Sequence, residues 1–361
     1  MDPYFRELYG SRWPTLKSAL KEEVRHIALV NPFCRTSEHE RRRQLGEATA
    51  NVMGLQVHSR AEPKDGSGGT YPVPPSDQAG VKAWYWMDLA SLLPPLALRI
   101  GETDAVLDVC AAPGGKSIVM AQRLFRRHRV GSGAEGQAAG GCLVCNEMSA
   151  SRRKRLNGVV SDYLPADVRS RVRLTGCDGT KLREHGVYDK VLVDAPCSSE
   201  RHILMQRGPT RDHRSSRSKA SPPVIDRWSP KQCKSFAKTQ YAILKSALQC
   251  LKPGGRLVYS TCSVAVVEND FVVEKVLEKF GDPEGKIAVR VAEDRGFPDP
   301  KDRETLEQLG CERTNHGYCM LPDRSKFGPI YWCVLERVKG GRAVGAEDGT
   351  KAAGATSATI N

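Results

Sequence analysis

No stretch of these 361 residues is apolar for long enough to cross a bilayer. The longest hydrophobic runs are of strand length, against the roughly 18 to 20 residues that a spanning helix needs, so no membrane partner is expected. Met1-Asp2-Pro3-Tyr4-Phe5-Arg6-Glu7 lacks the apolar core of a secretory signal and the acid-poor Arg/Ser character of a transit peptide, and no address is legible there. Without such a signal the twelve cysteines are expected to be reduced thiols rather than a disulfide framework. Cys142-Leu-Val-Cys145 has CxxC spacing but no second Cys/His pair at finger spacing. It also falls in a strand-like run that sends its thiols apart, so no metal is expected. The glycine turn Asp108–Lys116 has neither the G-x-G-x-x-G nor the G-x-x-x-x-G-K-[ST] spacing, which disfavours pyrophosphate cofactors there. Acidic residues are in short supply, 42 against 55 Lys and Arg; the formal net charge of +13 and the pI near 9.2 favour a polyanionic partner.

What is present is enough for a large core: 40% of residues are hydrophobic and 27% charged, in a length that suits one large domain with an appendage, or two. Residues 5–34 place Leu8, Leu16, Leu20, Val24, Ile27 and Leu29 at helical spacing, with Pro14 opening a helix that Asn31-Pro32 ends. A charged helical segment over Glu38–Met53 and a Gly/Pro/Ser-rich loop over 62–80 complete an accessory helical region, residues 1–80. Ala83–Leu98, with Trp84, Tyr85 and Trp86, has the spacing of a core helix ending near Pro94-Pro95. Strands and helices then alternate: Ala105–Cys110, a helix to about Arg127, Cys142–Cys145, a basic helix from Ser149, Val172–Thr175, Val191–Val193, a long helix to about Leu251, and Arg256–Tyr259. Such alternation predicts an α/β fold with a parallel sheet covered on both faces. Segments near Cys319 and Tyr331–Glu336 predict an antiparallel closing hairpin. Residues 81–338 form the main domain. Gly131–Gly141 is a small-residue loop, and 339–361 is a small, polar tail expected to be disordered. Residues 201–234 carry nine Lys/Arg against two Asp, a net of +7, in a loop that is either a clamp for a phosphate backbone or a solvated surface.

The chemistry gathers at predicted strand ends, where open α/β sheets place their ligand crevice. Lys190–Asp194 is a β-branched run that stops at Pro196 and presents Asp194 and Cys197. Tyr259-Ser260-Thr261-Cys262-Ser263 delivers a second thiol from the neighbouring strand. Asp108-Val-Cys-Ala-Ala-Pro-Gly-Gly-Lys116 is a glycine turn opening a helix, whose free N–H groups suit a ligand. Glu147, at the end of the next strand, is either a ribose acceptor or a helix-capping acid, and Asp178-Gly179 supplies a carboxylate suited to an adenine amino group. Together these fit a nucleoside across the crevice with a sulfonium near the acids. Two thiols call for a mechanism: a thiolate that adds to carbon 6 of a pyrimidine makes carbon 5 nucleophilic toward an electrophilic methyl group, and a base must then remove the carbon 5 proton. A carboxyl at the Watson–Crick edge would steady the ring.

Val106–Lys116, Asp178-Gly179, Asp194-Ala-Pro-Cys197 and Ser260-Thr-Cys-Ser263 resemble, in order and spacing, the motifs of the Nop/Sun family of RNA cytosine-5 methyltransferases, across roughly residues 80–338. Phe5–Phe33 and Phe327-Gly-Pro-Ile-Tyr331 are similar to its short mitochondrial members, which act on ribosomal or transfer RNA and lack a PUA or similar RNA-binding module; none is visible here. The resemblance implies a class I, Rossmann-like methyltransferase fold with a mostly parallel seven-stranded sheet and an N-terminal helical extension. It implies S-adenosylmethionine as cofactor, RNA as partner, a mitochondrial location, and room for a protein partner that supplies RNA-binding surface. By position, Cys262 would be the nucleophile, Cys197 would assist proton removal and product release, Asp194 would contact the cytosine edge, and Lys116 would stand near the target base. Cys110, Ala111, Ala112, Pro113, Gly114, Gly115 and Lys116 would border the cofactor, with Glu147 and Arg152 at its ribose end, Asp178 and Gly179 at its adenine, and Asp194 beside it. The long basic insert departs from the short members. A DNA cytosine methyltransferase would need a different glycine motif and a Glu-Asn-Val triplet, both absent; an RNA-binding assembly factor with the same fold would be favoured by loss of either cysteine, and both are here.

Overall fold

In the computed structural model, residues 1–46, 50–59, 71–128, 140–206, 228–282, 285 and 287–338 are described. Residues 62–70 of the 62–80 loop, 131–139 of Gly131–Gly141, the middle of the basic insert with Arg211, Arg214, Arg217 and Lys219, and the tail 339–361 lie outside these residues.

The front region is not helical throughout. Helices at Asp2–Tyr9 and Trp13–Lys21 bury Leu16 and Leu20, as the apolar spacing predicts, together with Phe5 and Trp13, whereas Leu8 of the expected face is exposed. Ile27 and Leu29, however, belong to a strand, β1 (Ile27–Val30), every residue of which is buried. Four consecutive apolar residues suit a strand paired on both sides better than one stripe of a helix. The charged helix stops at Leu45, capped by Gly46, and the rest of that segment forms β2 (Ala50–Val52) against β3 (Leu55–Ser59). Met53 and Gly54, with φ of 48° and 82°, make the tight turn between them. Trp84, Tyr85 and Trp86 lie in β4 (Trp84–Met87) rather than in a helix, and the short helix Leu93–Ala97 begins at Pro94-Pro95 instead of ending there. A four-stranded antiparallel sheet results, ordered β2-β3-β1-β4. Its fourth strand comes from beyond residue 80, so a division at that position cuts through a sheet.

The main sheet contains β5 (Ala105–Asp108), β6 (Cys142–Asn146), β7 (Val172–Thr175), β8 (Tyr188–Asp194), β9 (Leu251–Thr261), β10 (Val289–Val291), β11 (Cys311–Arg313), β12 (Tyr318–Met320) and β13 (Ile330–Arg337). The order is β11-β12-β13-β9-β8-β5-β6-β7, with β10 on β13. Strands β7, β6, β5, β8 and β9 run parallel, as the alternation predicts. β12 and β13 form the expected antiparallel hairpin beside β9. Among the described residues the sheet has nine strands where seven were expected; the path from β12 to β7 supplies seven, and the three-residue strands β10 and β11 add two. Helix Pro230–Cys250 and helix Asp270–Phe280 pack with Val191, Val193 and Tyr259 in one hydrophobic layer. Helix Gly115–Leu124 packs with the accessory sheet in another.

Cys142 is exposed and Cys145 buried, as expected of strand positions three apart, and all twelve cysteines are free thiols. No described helix is long and apolar enough to cross a membrane.

Candidate active site

Asp194 and Ser260 are register partners on the adjacent parallel strands β8 and β9, so the two chains leave the sheet side by side. That pairing is what brings Cys197 and Cys262 together: their Sγ atoms lie 3.1 Å apart. Ser199 Oγ completes a triangle, 3.4 Å from Cys197 Sγ and 3.2 Å from Cys262 Sγ. Ser199 holds φ at 51°, uncommon for a residue with a side chain, at the point where the loop turns into helix Glu200–Met205. The hydrogen bond from the Cys197 thiol draws the pKa of Cys262 below the ordinary thiol value, against the effect of burial, with Ser199 assisting. The same bond, with burial, drives Cys197 well up. Of the two thiols Cys262 is therefore the more readily ionised.

Asp194 is gripped from two sides. Lys116 Nζ donates to its Oδ2 at 2.7 Å and Ser260 Oγ to its Oδ1 at 2.7 Å. Burial works against the charge on Lys116, but the Asp194 carboxylate more than offsets it and the ammonium pKa stands above its ordinary value. Beneath the glycine turn Asp108 is buried; its Oδ2 accepts from Ser117 Oγ at 2.7 Å while its Oδ1 has no partner among the described residues. Burial raises its pKa to about 7.

A cleft of about 590 Å³ opens at the carboxyl ends of β5 to β8, reached by Cys110, Ala112, Glu147, Arg152, Asp178, Gly179, Asp194, Cys197 and Cys262. Gly179 is tightly placed there: a Cβ on it would come within 3.2 Å of Val109. Glu147, buried, accepts from the Ser149 amide at 2.9 Å and lies 3.4 Å from Arg152 Nη2, so it holds the start of its own helix while facing the cleft. Arg152 also donates to the Ala112 carbonyl at 2.9 Å, which ties the glycine turn to that helix. Asp178 Oδ1 accepts from the Thr180 amide at 2.9 Å and its hydroxyl at 2.8 Å, and these bonds lower the carboxyl pKa. The cleft therefore offers a buried carboxylate, an ionised rim carboxylate and an apolar floor, a donor set that fits a ribose diol, an adenine amino group and a sulfonium.

Ala111, Pro113, Gly115 and Lys116 border a second cavity of about 250 Å³ instead, shared with Cys110, Ala112 and Asp194 and closed by His26, Tyr85 and Trp86 of the accessory region. Gly114 lines neither space. With φ at 123°, it brings the turn so close to helix Ala150–Tyr163 that a Cβ would sit 2.8 Å from Val159. Ser199, Ser260, Asp108 and the aromatic residues of β4 are not among the site residues expected from the sequence. The two serines flank motif residues and were legible as such; the aromatics were hidden by their assignment to a helix.

The sheet order and a ligand cleft at the parallel strand ends define a class I, Rossmann-like methyltransferase. Residues 95–297 match the family described as 16S rRNA methyltransferase RsmB/F. The 5-cytosine rRNA methyltransferase NSUN4 of Mus musculus is 30% identical over 358 residues, covering 91% of this chain and 85% of its own. The mitochondrial tRNA (cytosine(34)-C(5))-methyltransferase of Mus musculus is 31% identical over 347 residues, covering 92% and 88%. The crystal structure of NSun6 from Pyrococcus horikoshii with SFG shares the fold, with a TM-score of 0.62 and 17% identity over 93% of this chain and 97% of that one. The chain belongs to the Nop/Sun family of RNA cytosine-5 methyltransferases, enzymes that use S-adenosylmethionine.

Proposed function

We propose that the chain methylates carbon 5 of a cytosine in ribosomal or transfer RNA through a covalent adduct on Cys262. The observation that carries this is the 3.1 Å approach of Cys197 and Cys262, with their pKa values pushed in opposite directions. A thiolate and a thiol held side by side divide the labour that carbon 5 chemistry demands. Cys262 Sγ adds to carbon 6, and the ring electrons move to make carbon 5 nucleophilic. Bound S-adenosylmethionine supplies the electrophilic methyl group. After transfer, carbon 5 carries both methyl and hydrogen; Cys197, having released its own proton to solvent, takes that hydrogen as a proton, the electron pair re-forms the double bond, and Cys262 leaves as thiolate, so that one proton is released per turnover.

Asp194 and Lys116 face the second cavity as a fixed ion pair, suited to the amino and nitrogen 3 positions of the cytosine edge. The flat rings of Tyr85 and Trp86 give that cavity walls for a base. Glu147 and Arg152 at the ribose end and Asp178 with Gly179 at the adenine end hold the cofactor, and Cys110 and Ala112 of the glycine turn border it. The accessory region, residues 1–80 with β4, closes the substrate side of the 81–338 domain. The basic charge of the chain suits an RNA backbone, a protein partner adds further RNA-binding surface, and the names of its relatives support a mitochondrial place of action. An RNA-binding assembly role without catalysis is disfavoured by the intact thiol pair. Bisulfite sequencing of cellular RNA with and without the protein tests the proposal: a cytosine that loses protection when the protein is removed identifies the substrate, and an unchanged profile opposes it.

A further inference from the structure

Behind the two cysteines lies a second pair of groups that the reaction above does not use. Ser198 follows Cys197 and Ser263 follows Cys262; both turn inward, where Glu200 and Glu268 are fully buried. Ser198 Oγ contacts Glu200 Oε1 and Glu268 Oε1. Ser263 Oγ lies 3.1 Å from Ser198 Oγ, 3.1 Å from Glu268 Oε1 and 3.3 Å from Glu200 Oε1. Two hydroxyl hydrogens serve all these contacts, and among the described residues neither carboxyl has a cationic partner. Two ionised carboxylates in such a place would repel each other without compensation.

The remaining donors say where a proton belongs. Glu268 Oε2 accepts two N–H groups, from Ser198 at 3.0 Å and from Gln240 Nε2 at 2.9 Å. Glu200 Oε1 accepts Trp228 Nε1–H at 3.1 Å, and Glu200 Oε2 accepts the Val264 amide at 3.1 Å. Of the four carboxylate oxygens, Glu268 Oε1 alone receives no N–H. An oxygen that accepts an N–H bond presents a lone pair to it, so the hydrogen is best placed on the fourth. Burial raises the pKa of Glu268, and the Glu200 charge adds to this. Cys233 faces the same cluster as a neutral thiol, pushed up to about 12 by burial, and the Tyr4 phenol beside it is raised to about 12. Arg201 points away, donating to the carbonyls of Gly328 and Glu22. The cluster is not a metal site, because three of its four carboxylate oxygens already accept N–H donors.

We propose that Glu268 is protonated on Oε1 and that Glu268 and Glu200, through Ser198 and Ser263, are positioning residues that clasp the two cysteine loops and hold Cys197 against Cys262. The clasp rests on the working thiol pair of the proposed function. It explains why two loops from different strands stay in register past the end of the sheet, where no ladder bonds remain.

Infrared difference spectroscopy of the full chain, wild type minus Glu268→Gln, tests the proton. An ordinary glutamic acid is ionised at about pH 7; a protonated-carboxyl carbonyl band in that difference spectrum is expected, and its absence overturns the proposal. Asp108 is common to both proteins and cancels. The clasp is read by alkylation of Cys262 with iodoacetamide at several pH values, which needs no RNA. Glu268→Gln, whose amide donates where the acid proton did, should keep the wild-type profile. Ser198→Ala, a small change that keeps the fold, and Glu268→Ala should move the Cys262 profile to higher pH and lower kcat about tenfold while leaving the KM for RNA unchanged. Wild-type profiles in both, or a Glu268→Gln enzyme that behaves like Glu268→Ala, overturn it. If alkylation follows this pattern but the wild type methylates no RNA, the clasp stands and the proposed function falls.

Discussion

Cys197 Sγ lies 3.1 Å from Cys262 Sγ although 65 residues separate them in the chain. The contact follows from strand order: β8 and β9 are parallel neighbours whose last paired residues, Asp194 and Ser260, stand opposite each other, and the cysteines follow three and two residues further on. The hydrogen bond between the thiols lowers one pKa and raises the other, so two chemically identical side chains acquire different acidities.

Cys262→Ala is expected to abolish methylation while S-adenosylmethionine still binds, because the thiol acts on the base and not on the donor. Calorimetry beside a methyl-transfer assay checks this; loss of donor binding together with activity would place Cys262 in the cofactor site instead.

Glu147→Ala and Asp178→Ala should each weaken S-adenosylmethionine by about 1 to 3 kcal/mol, the usual effect of removing one partner of a hydrogen bond to a buried group. Glu147 should sit nearer the upper end, being buried while Asp178 is at the rim. Unchanged affinity in both variants would mean that the cleft holds something else.

Asp108 gives the fold a pH dependence of defined sign. Its folded pKa of about 7 lies above the unfolded value, so the folded state binds the proton more tightly. The stabilisation is complete below the unfolded pKa and is lost as pH rises from there through about 7, with a slope approaching 1.4 kcal/mol per pH unit between the two pKa values and none above the folded one. Melting temperatures measured across this range should fall more steeply for the wild type than for Asp108→Asn; parallel curves would show that Asp108 is already ionised.

The sheet core and the chemical residues were legible in the sequence because both obey local rules. Lys190–Asp194 is a buried parallel strand by composition, and Pro196 marks where it stops; Asp194, Cys197 and Cys262 follow from that and from the motif spacing. The accessory region was not legible. Trp84–Met87 is apolar enough for either a helix or a strand, and the choice is made by its antiparallel pairing with Ile27–Val30, more than 50 residues earlier. Glu200 and Glu268 illustrate a different limit. Acidic residues are rarely fully buried, and although Ser198 stands near Glu200 and Ser263 near Glu268 in the chain, only the meeting of the two loops makes the four partners.

The covalent route is tested most directly by incubating the Cys197→Ala enzyme with RNA and S-adenosylmethionine and resolving the products on a denaturing gel. Addition and methyl transfer need Cys262, whereas elimination needs Cys197, so the variant is predicted to accumulate a protein–RNA adduct that Cys262→Ala does not form. An adduct that persists in Cys262→Ala and is missing from Cys197→Ala would contradict the assignment and exchange the two roles.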